Sequence, residues 1–361
     1  MEIAMLGTRG VPARYGGFET AIEEIGSRLA AKGHRVRVYC RNQGQTQKTH
    51  KGMELLNLPA VRRSSLETLS HTGLSALHSF GRKPDVAVLF NAGNAPFIPV
   101  LRARGIPTAV HVDGLEWKRA KWQGLGAKYY KWAEGVCARS ETALIADAQG
   151  IADYLQVEYN APSYLIAYGA EILDPGLDKL GDLNLQSREF HLVVARMEPE
   201  NHVDLIVEGY CQAGSSRPLV VVGSAPYQDE YIASLKELAK GHDVRFVGSV
   251  WDQDLLNQLY AHARSYLHGH SVGGTNPSLL RALGCGAPVT AFDVNFNHEV
   301  TAEHARFFSD AKSAATAIRA DDADLEAARS RGTLGQRHVE KAYRWDEVAD
   351  RYEQMLVEIA G

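Results

Sequence analysis

The chain reads as an α/β protein made of two successive parallel sheets, each covered by helices. Its length, its alternation of strand-like and helix-like segments, and the restart of that alternation near the middle carry this reading. At 361 residues it exceeds a usual single core, and two domains of about 150 to 200 residues are the expected solution. A hydrophobic content of 45% and a charged content of 23% provide for globular cores. Strands that alternate with helices form a parallel sheet, because each crossover lays a helix on a sheet face.

In order along the chain, Ile3 to Gly7 forms the first strand. A loop from Thr8 to Gly17 follows, then a helix from Phe18 to Lys32 with Ile22, Ile25 and Leu29 on one face, ended by Gly33. Arg35 to Cys40, Met53 to Leu58, Val86 to Phe90 and Thr108 to Val112 read as further strands, and Ala143 to Ala146 and Tyr164 to Ala167 as the last of the first series. Gly169 to Leu185 has the Gly, Asp and Pro content and weak periodicity of a linker. The second series is His191 to Ala195, Leu219 to Gly223, Val244 to Gly248, Ser265 to His268 and Val289 to Phe292. Gln336 to Ile359, with Val348, Tyr352, Met355 and Ile359 on one stripe, reads as a single amphipathic helix. The expected division is 1–170, 171–335, and a C-terminal helix 336–361 that packs back on the first domain.

A formal net charge of -4 argues against a nucleic-acid partner held by overall charge. Cys40, Cys137, Cys211 and Cys285 are far apart without metal-ligand spacing, which fits reduced thiols. The N-terminus lacks the pattern of a signal peptide, and no run approaches the roughly 18 apolar residues of a membrane span. A cytoplasmic location is expected.

Chemistry concentrates at the expected strand ends, where open α/β sheets bind ligands. The segment from His268 to Pro288 places the glycine pair Gly273–Gly274, then Thr275, Asn276 and Pro277, directly before a short apolar helix. Backbone amides unscreened by large side chains, together with the positive end of a helix, suit a phosphate or diphosphate. Gly7 to Gly17 and Arg196 to His202 follow the first strands of the two domains, so three loops are expected to converge on one cleft. Plainer readings stand beside these. Gly16–Gly17 is also an ordinary turn before a helix, and Glu19 an ordinary first-turn glutamate. Arg281 also reads as a surface charge, Asn297–His298 as a turn, and His268 and His270 as polar loop residues without a third metal ligand.

Six blocks in sequence resemble a known family: Gly7 to Thr20 (GTRGVPARYGGFET), Val112 to Trp122 (VDGLEWKRAKW), Tyr168 to Glu171 (YGAE), Val194 to Asn201 (VARMEPEN), Gly273 to Leu280 (GGTNPSLL) and Asp293 to Asn297 (DVNFN). The chain resembles the retaining glycosyltransferases of family 4 with the GT-B fold, two Rossmann-like domains facing a central cleft. Within them it resembles the bacterial rhamnosyltransferases of surface polysaccharide assembly. The resemblance implies transfer of a sugar, with L-rhamnose a candidate, from a dTDP- or UDP-linked donor to a glycan, a lipid-linked or another hydroxyl acceptor. No cofactor or metal is implied. The N-terminal domain would bind the acceptor and the C-terminal domain the nucleotide sugar.

By the same resemblance, Gly16, Gly17, Arg196, Asn201, Gly248, Val250, Gly273, Gly274, Thr275, Asn276 and Arg281 fall on the donor side. Arg14, Tyr15, Glu19 and Glu116 fall on the acceptor side, with Glu299 a further polar contact. Arg196 would stabilise the leaving diphosphate by preorganised charge. Asp113, the first choice, or His111 would lie beside the donor sugar; both point to one side of a continuing strand, so spacing does not separate them. Two positions depart from the family pattern. Arg281 stands where a glutamate reaches the ribose hydroxyls, and a guanidinium offers only donors. Asn201 stands where a lysine backs the diphosphate. Arg281 restoring the charge missing at Asn201 is one reading, and a catalytically silent relative that binds nucleotide or glycan in support of a partner is the other. A nucleotide-sugar 2-epimerase of the same architecture would want more acidic residues in the cleft. Finally, Trp117 to Trp132 mixes lysines, an arginine and aromatics in a way that suits either an interfacial membrane contact or core packing.

Overall fold

The structure, a computed structural model, describes residues 1–13, 16–41, 47–61, 66–112, 114–119, 122, 124–140, 142–224 and 229–361. The chain divides into two compact units, Met1–Gly169 with Trp345–Gly361, and Ala170–Arg344.

The first unit contains β1 (Glu2–Leu6), α1 (Gly17–Ala31), β2 (Arg35–Arg41), β3 (Thr49–His50), β4 (Met53–Leu58), α2 (Glu67–Arg82), β5 (Val86–Phe90), α3 (Ile98–Ala103), β6 (Thr108–His111), α4 (Leu125–Arg139), β7 (Ala143–Ala146), α5 (Gln149–Tyr159) and β8 (Tyr164–Leu165). Among the described residues its sheet has eight strands in the order β3-β4-β2-β1-β5-β6-β7-β8, parallel throughout except that β3 runs antiparallel to β4. Ile3, Met5, Val86, Val88 and Phe90 are fully buried, since both faces of a helix-covered parallel sheet are dry. Helix α1 turns Ala21, Ile22, Ile25 and Leu29 inward. The helix Trp345–Ala360 lies against α1, where Arg28 Nε is 2.8 Å from Asp346 Oδ1, His34 Nε2 is 2.7 Å from Glu353 Oε1, and Lys32 meets Asp350 and Glu353. Its buried Trp345, Val348, Tyr352, Met355 and Leu356 contribute more than these exposed ion pairs.

The second unit contains β9 (His191–Val194), α6 (Val203–Ala213), β10 (Leu219–Val222), α7 (Asp229–Leu238), β11 (Val244–Gly248), α8 (Gln253–His262), β12 (Ser265–His268), α9 (Pro277–Gly284), β13 (Val289–Phe292), α10 (Asn295–Thr301), β14 (Ala305–Phe308), α11 (Ala311–Ala323) and α12 (Leu325–Ala342). Its strands are all parallel, in the order β11-β10-β9-β12-β13-β14. Val193, Met197, Val203, Ile206, Val207, Leu219, Val221, Leu267 and Phe308 form one core cluster.

The structure corrects four expectations. Strands expected to reach Gly7, Val112, Ala195 and Gly223 stop one residue earlier; Gly7 and Gly223 already have the loop φ values 108° and 136°. Strands β3 and β14 appear where none is expected, and β8 covers only two residues. The expected linker is anchored to the second unit, with Leu180 and Leu185 buried and the Lys179 amide donating to Gln258 Oε1 at 2.8 Å. The single C-terminal helix is two helices, because the Ala170 amide donates to Tyr343 O at 2.6 Å and Ala170 bridges Arg344, holding the intervening backbone extended.

Candidate functional site

In the second unit the chain winds outward in both directions from β9, so β9 and β12 flank the point where the strand order reverses. Loops that leave the carboxyl ends of two such strands part there and open a crevice, the usual ligand seat of this sheet type. Arg196 to Asn201 leaves β9 and His268 to Asn276 leaves β12.

Asn201, 5% exposed, ties the two loops together. Its Nδ2 donates to Arg196 O at 2.8 Å, and its Oδ1 lies 2.7 Å from His270 Nδ1. An amide oxygen only accepts, so Nδ1 of His270 carries the ring proton. Gly269 is required at this junction, because a Cβ there would collide with the carbonyl of Asn201. Further ties run from the Ser271 amide to Glu200 O at 3.0 Å, from His202 Nε2 to Ser271 Oγ at 3.0 Å, and from Asn297 Nδ2 to His270 O at 3.0 Å. Arg196 stands at this frame with its side chain one-third exposed and Glu198 3.3 Å away, a partial neutralisation that leaves it open to an anion.

Helix α9 begins at the far side of the same loop. Asn276 caps it, accepting from the Ser278 amide at 2.9 Å, and Pro277 contributes no N–H. The second helical donor is therefore used internally, and an anion at this end would rely on amides upstream, around Gly273, Gly274 and Thr275. Gly273 is buried with φ 138°, and a Cβ on it would sit 3.1 Å from His270 Nε2. Arg281 points elsewhere. Its Nε and one NH donate to Asn257 Oδ1 at 2.7 Å and Gln253 Oε1 at 2.8 Å, its other NH donates to Gln253 O at 3.1 Å, and the guanidinium lies 5.9 Å from the centre of the Tyr260 ring. It joins α9 to α8. Gly248 ends β11 and Val250 follows it, beside the end of β10: the Gly223 amide donates to Gly248 O at 2.8 Å, and the Ser224 and Ser249 hydroxyls are 2.8 Å apart.

His268 is 3% exposed, 3.0 Å from the Tyr266 hydroxyl, and burial pushes its pKa down to about 3. It is a neutral core residue. Asn297 also holds Phe292 O, whereas His298 pairs with Asp293 at 2.7 Å and stacks on Phe307. The Glu299 carbonyl accepts from Tyr343. Sequence reasoning passed over Glu200, a 6%-exposed carboxylate between Arg196 and Asn201; its place before Asn201 in the same loop was the available signal. A shallow depression of about 640 Å³, lined by Arg306, Asp310 and Lys312 among others, includes none of the candidate donor-side residues.

The first unit has its own reversal point, between β1 and β5. Asn94, fully buried, spans it by donating to Gly7 O at 3.2 Å and Phe90 O at 2.8 Å. The loop after β1 is tethered by the helix it precedes: Glu19 Oε1 accepts from the Arg9 amide at 3.1 Å and Glu23 Oε2 from the Ala13 amide at 2.6 Å. Gly16, at φ 112°, packs directly on the Glu19 carboxylate, and Gly17 opens α1. Glu116 is 6% exposed, 2.5 Å from Arg119 Nε and accepting from Trp122 Nε1 at 3.0 Å. Glu19, Glu23 and Glu116 thus hold local structure. Arg14, Tyr15 and Asp113 lie outside the described residues.

His111, the alternative to Asp113, is 1% exposed among Phe18, Phe90 and Tyr168, with its Nδ1 2.9 Å from the Tyr352 hydroxyl. Burial pushes its pKa down to about 3, so it is neutral and belongs to the core. That placement gives His111 a packing role in the core of the first unit.

Two family models match the chain. One, described as a glycosyl transferase 4-like domain, covers residues 16–168, and the other, glycosyl transferases group 1, covers 182–337. Among solved structures the chain is similar to a sucrose-phosphate synthase from Thermosynechococcus elongatus, with 21% identity, coverage of 99% of this chain and 98% of that one, and a TM-score of 0.86. It is also similar to Anabaena HepE in complex with UDP-glucose, with 14% identity, coverage of 99% and 100%, and a TM-score of 0.80. These likenesses show that the fold is GT-B. Among curated proteins, O-antigen chain mannosyltransferase B of Escherichia coli is 28% identical over 119 residues, 32% of this chain and 31% of that protein. The chain spans less than a third of the length of the curated relatives it matches.

Proposed function

Since the chain belongs to the group 1 glycosyltransferases, a retaining family, we propose that it moves a sugar from a nucleoside-diphosphate donor to a hydroxyl acceptor with retention of anomeric configuration. The observation that carries this reading is the Asn201–His270 contact at 2.7 Å, which fixes the two loops at the strand-order reversal around Arg196. Charge grows on the diphosphate as the sugar leaves. A cation and backbone amides held in place beforehand stabilise that charge without reorganising during the reaction. Arg196, Gly273, Gly274 and Thr275 take this role, with Gly248 and Val250 beside the nucleotide. A diphosphate oxygen takes the acceptor's proton, so the reaction calls for no protein nucleophile.

In this proposal residues 171–335 bind the donor and 1–170 the acceptor, with Arg14 and Tyr15 on the acceptor side, Gly16 and Gly17 reaching the donor, and Asp113 near the sugar. The relatives name mannose, N-acetylglucosamine and UDP, whereas the sequence blocks resemble rhamnosyltransferases, so UDP- and dTDP-sugars, dTDP-L-rhamnose included, are the donors to test. The acceptor is a glycan or a lipid-linked saccharide, and a lipid-linked one would bring the enzyme to the inner membrane face. Among the described residues no helix is long and apolar enough to cross a membrane.

One observation favours a second reading. Arg281 is engaged by Gln253 and Asn257, so the charge missing at Asn201 is not replaced from that side, as it could be in a catalytically silent relative. Thermal shift against a panel of nucleoside diphosphates and their sugars, followed by assay of donor hydrolysis, decides between the two. A stabilising ligand that is slowly hydrolysed to the free diphosphate is expected. Binding without turnover would favour the silent relative, and no response to any member would overturn the donor site.

A further inference from the structure

In the second unit, the end of the sheet away from the crevice, where the strands begin, carries its own concentration of charge, and arginines outnumber carboxylates there. Arg188 precedes β9, Arg264 stands directly before β12, and Arg329 lies in the second turn of α12. Asp321 and Asp322 belong to the last turn of α11. Arg264, 4% exposed, closes that helix: its Nε donates to Asp321 O at 2.7 Å and one NH to Asp322 O at 2.6 Å, so its charge meets the negative end of the helix dipole.

The carboxylates of this region are already engaged. Asp321 lies 2.7 Å from an Arg331 NH and 3.1 Å from Arg306 Nε. Asp322 is shared by Arg217 at 3.1 Å and His191 at 3.2 Å, and Glu189 accepts from Arg217 at 3.1 Å. The Asp324 side chain caps α12 by accepting from the Ala327 amide at 2.9 Å. Each has its cation or amide, and among the described residues none forms an ion pair with Arg188 or Arg329.

Arg188 is pinned at both its backbone and its side chain. It adopts the left-handed φ of 66°, which residues other than glycine rarely take; its amide donates to His262 O at 2.8 Å and one guanidinium NH to Ala263 O at 2.7 Å. The half-buried guanidinium is thereby fixed beside Arg264 and Arg329. Burial, and then the charges of Arg329 and Arg264, push its pKa down to about 10, with no acid acting against them. At neutral pH the group stays charged, so this depression measures a missing negative charge. A strained backbone that holds a cation against other cations is a feature of binding sites, since packing gains nothing from the repulsion.

We propose that Arg188 and Arg329, with Arg264 adding its field, bind a phosphate group, free or carried on a sugar phosphate, at the end of this sheet where its strands begin. Two cations without acids balance a phosphate dianion, and the guanidinium fork of Arg188 offers donors to its oxygens. The assignment stands apart from the sugar-transfer reading, which uses Arg196 at the opposite end of the strands. Thermal unfolding and titration calorimetry of the full chain with inorganic phosphate, and separately with glucose 6-phosphate, test it, with sodium chloride holding the ionic strength constant. Saturable binding that raises the unfolding midpoint with ligand concentration is expected. Equal affinities would support the site as one for the free ion, and tighter binding of the ester would support it as one that reads the sugar as well. Arg188→Gln and Arg329→Gln are each expected to weaken binding by about ten-fold, the loss of one charge-assisted contact, whereas Arg196→Gln leaves it unchanged. Because Arg329 is exposed, its replacement spares the core, and in phosphate-free buffer Arg329→Gln is expected to raise the midpoint by relieving the repulsion. Absence of binding to either ligand, a response that chloride alone reproduces, binding that neither of the first two variants weakens, or binding lost in Arg196→Gln overturns the proposal.

Discussion

Asn201 stands where the family resemblance implies a lysine, and in this chain the position serves geometry rather than charge. Truncation in Asn201→Ala removes both ends of its bridge, leaving Arg196 O and His270 Nδ1 without the partners now at 2.8 Å and 2.7 Å. Unpaired buried groups are costly, so urea unfolding of this variant should show a loss of about 2 kcal/mol or more. A change under about 0.5 kcal/mol would mean that the bridge is incidental. The buried histidines make a separate prediction about pH. The pKa values of His111 and His268 are pushed down to about 3, whereas a histidine in the unfolded chain titrates near its ordinary value. Between those values the unfolded state binds more protons than the folded one. Stability is therefore full above about pH 6.5 and falls as the pH drops from there toward 3, by about 1.4 kcal/mol per pH unit for each group. His111→Gln should flatten the slope between about pH 6 and 4 by one proton's worth, whatever its effect at neutral pH. A slope identical to that of the parent would show that His111 takes up a proton in the fold.

Helix α9 is short, so its N-terminal cap carries unusual weight. Asn276 accepts from the Ser278 amide at 2.9 Å and from the Ser278 hydroxyl at 2.7 Å, and Ser278 in turn accepts from Tyr266 at 3.3 Å. Asn276→Ala should cost about 1 kcal/mol and Asn276→Asp much less, because an aspartate still caps; equal losses in chemical denaturation would count against the capping role. The same stretch shows what could be read in advance. The Gly-rich loop, the Asn-Pro start and the apolar helix of 277–284 follow from local rules, and so do most strands, whose Val, Ile and Leu runs are buried on both faces. What escaped depends on distant partners. Strand β14 is a half-exposed edge strand of four residues that pairs only with β13, and nothing in Ala305 to Phe308 distinguishes it from a loop. The break between Ala342 and Trp345 is imposed by Ala170, far away in sequence. In the candidate site, Arg196 and the glycine loop were legible, since their residue types announce anion binding. The ties of Glu19 to Arg9 and of Arg281 to Gln253 were not, because a side chain's partner across a loop or a neighbouring helix leaves no periodic signal.

Connectivity sets how the two units should fold. Residues Ala170–Arg344 form one unit from a continuous stretch, whereas the other combines Met1–Gly169 with Trp345–Gly361. The second segment is no ornament to its unit: Trp345, Val348, Tyr352, Met355 and Leu356 are buried, and Tyr352 reaches His111 at 2.9 Å. Burial of each such side chain is worth about 1.5 to 3 kcal/mol. Five of them together contribute on the order of 10 kcal/mol, which is comparable to the entire stability of a typical domain. A fragment of residues 170–344 should accordingly unfold in a single cooperative transition, because its sheet and core are complete. A fragment of residues 1–169 should lack such a transition and expose apolar surface to a hydrophobic dye. Adding the peptide 345–361 should restore cooperativity to that fragment, with a midpoint that rises with peptide concentration, as mass action requires when the peptide binds only the folded form. If 1–169 unfolded cooperatively alone and ignored the peptide, the buried face of the last helix would contribute far less than its area implies.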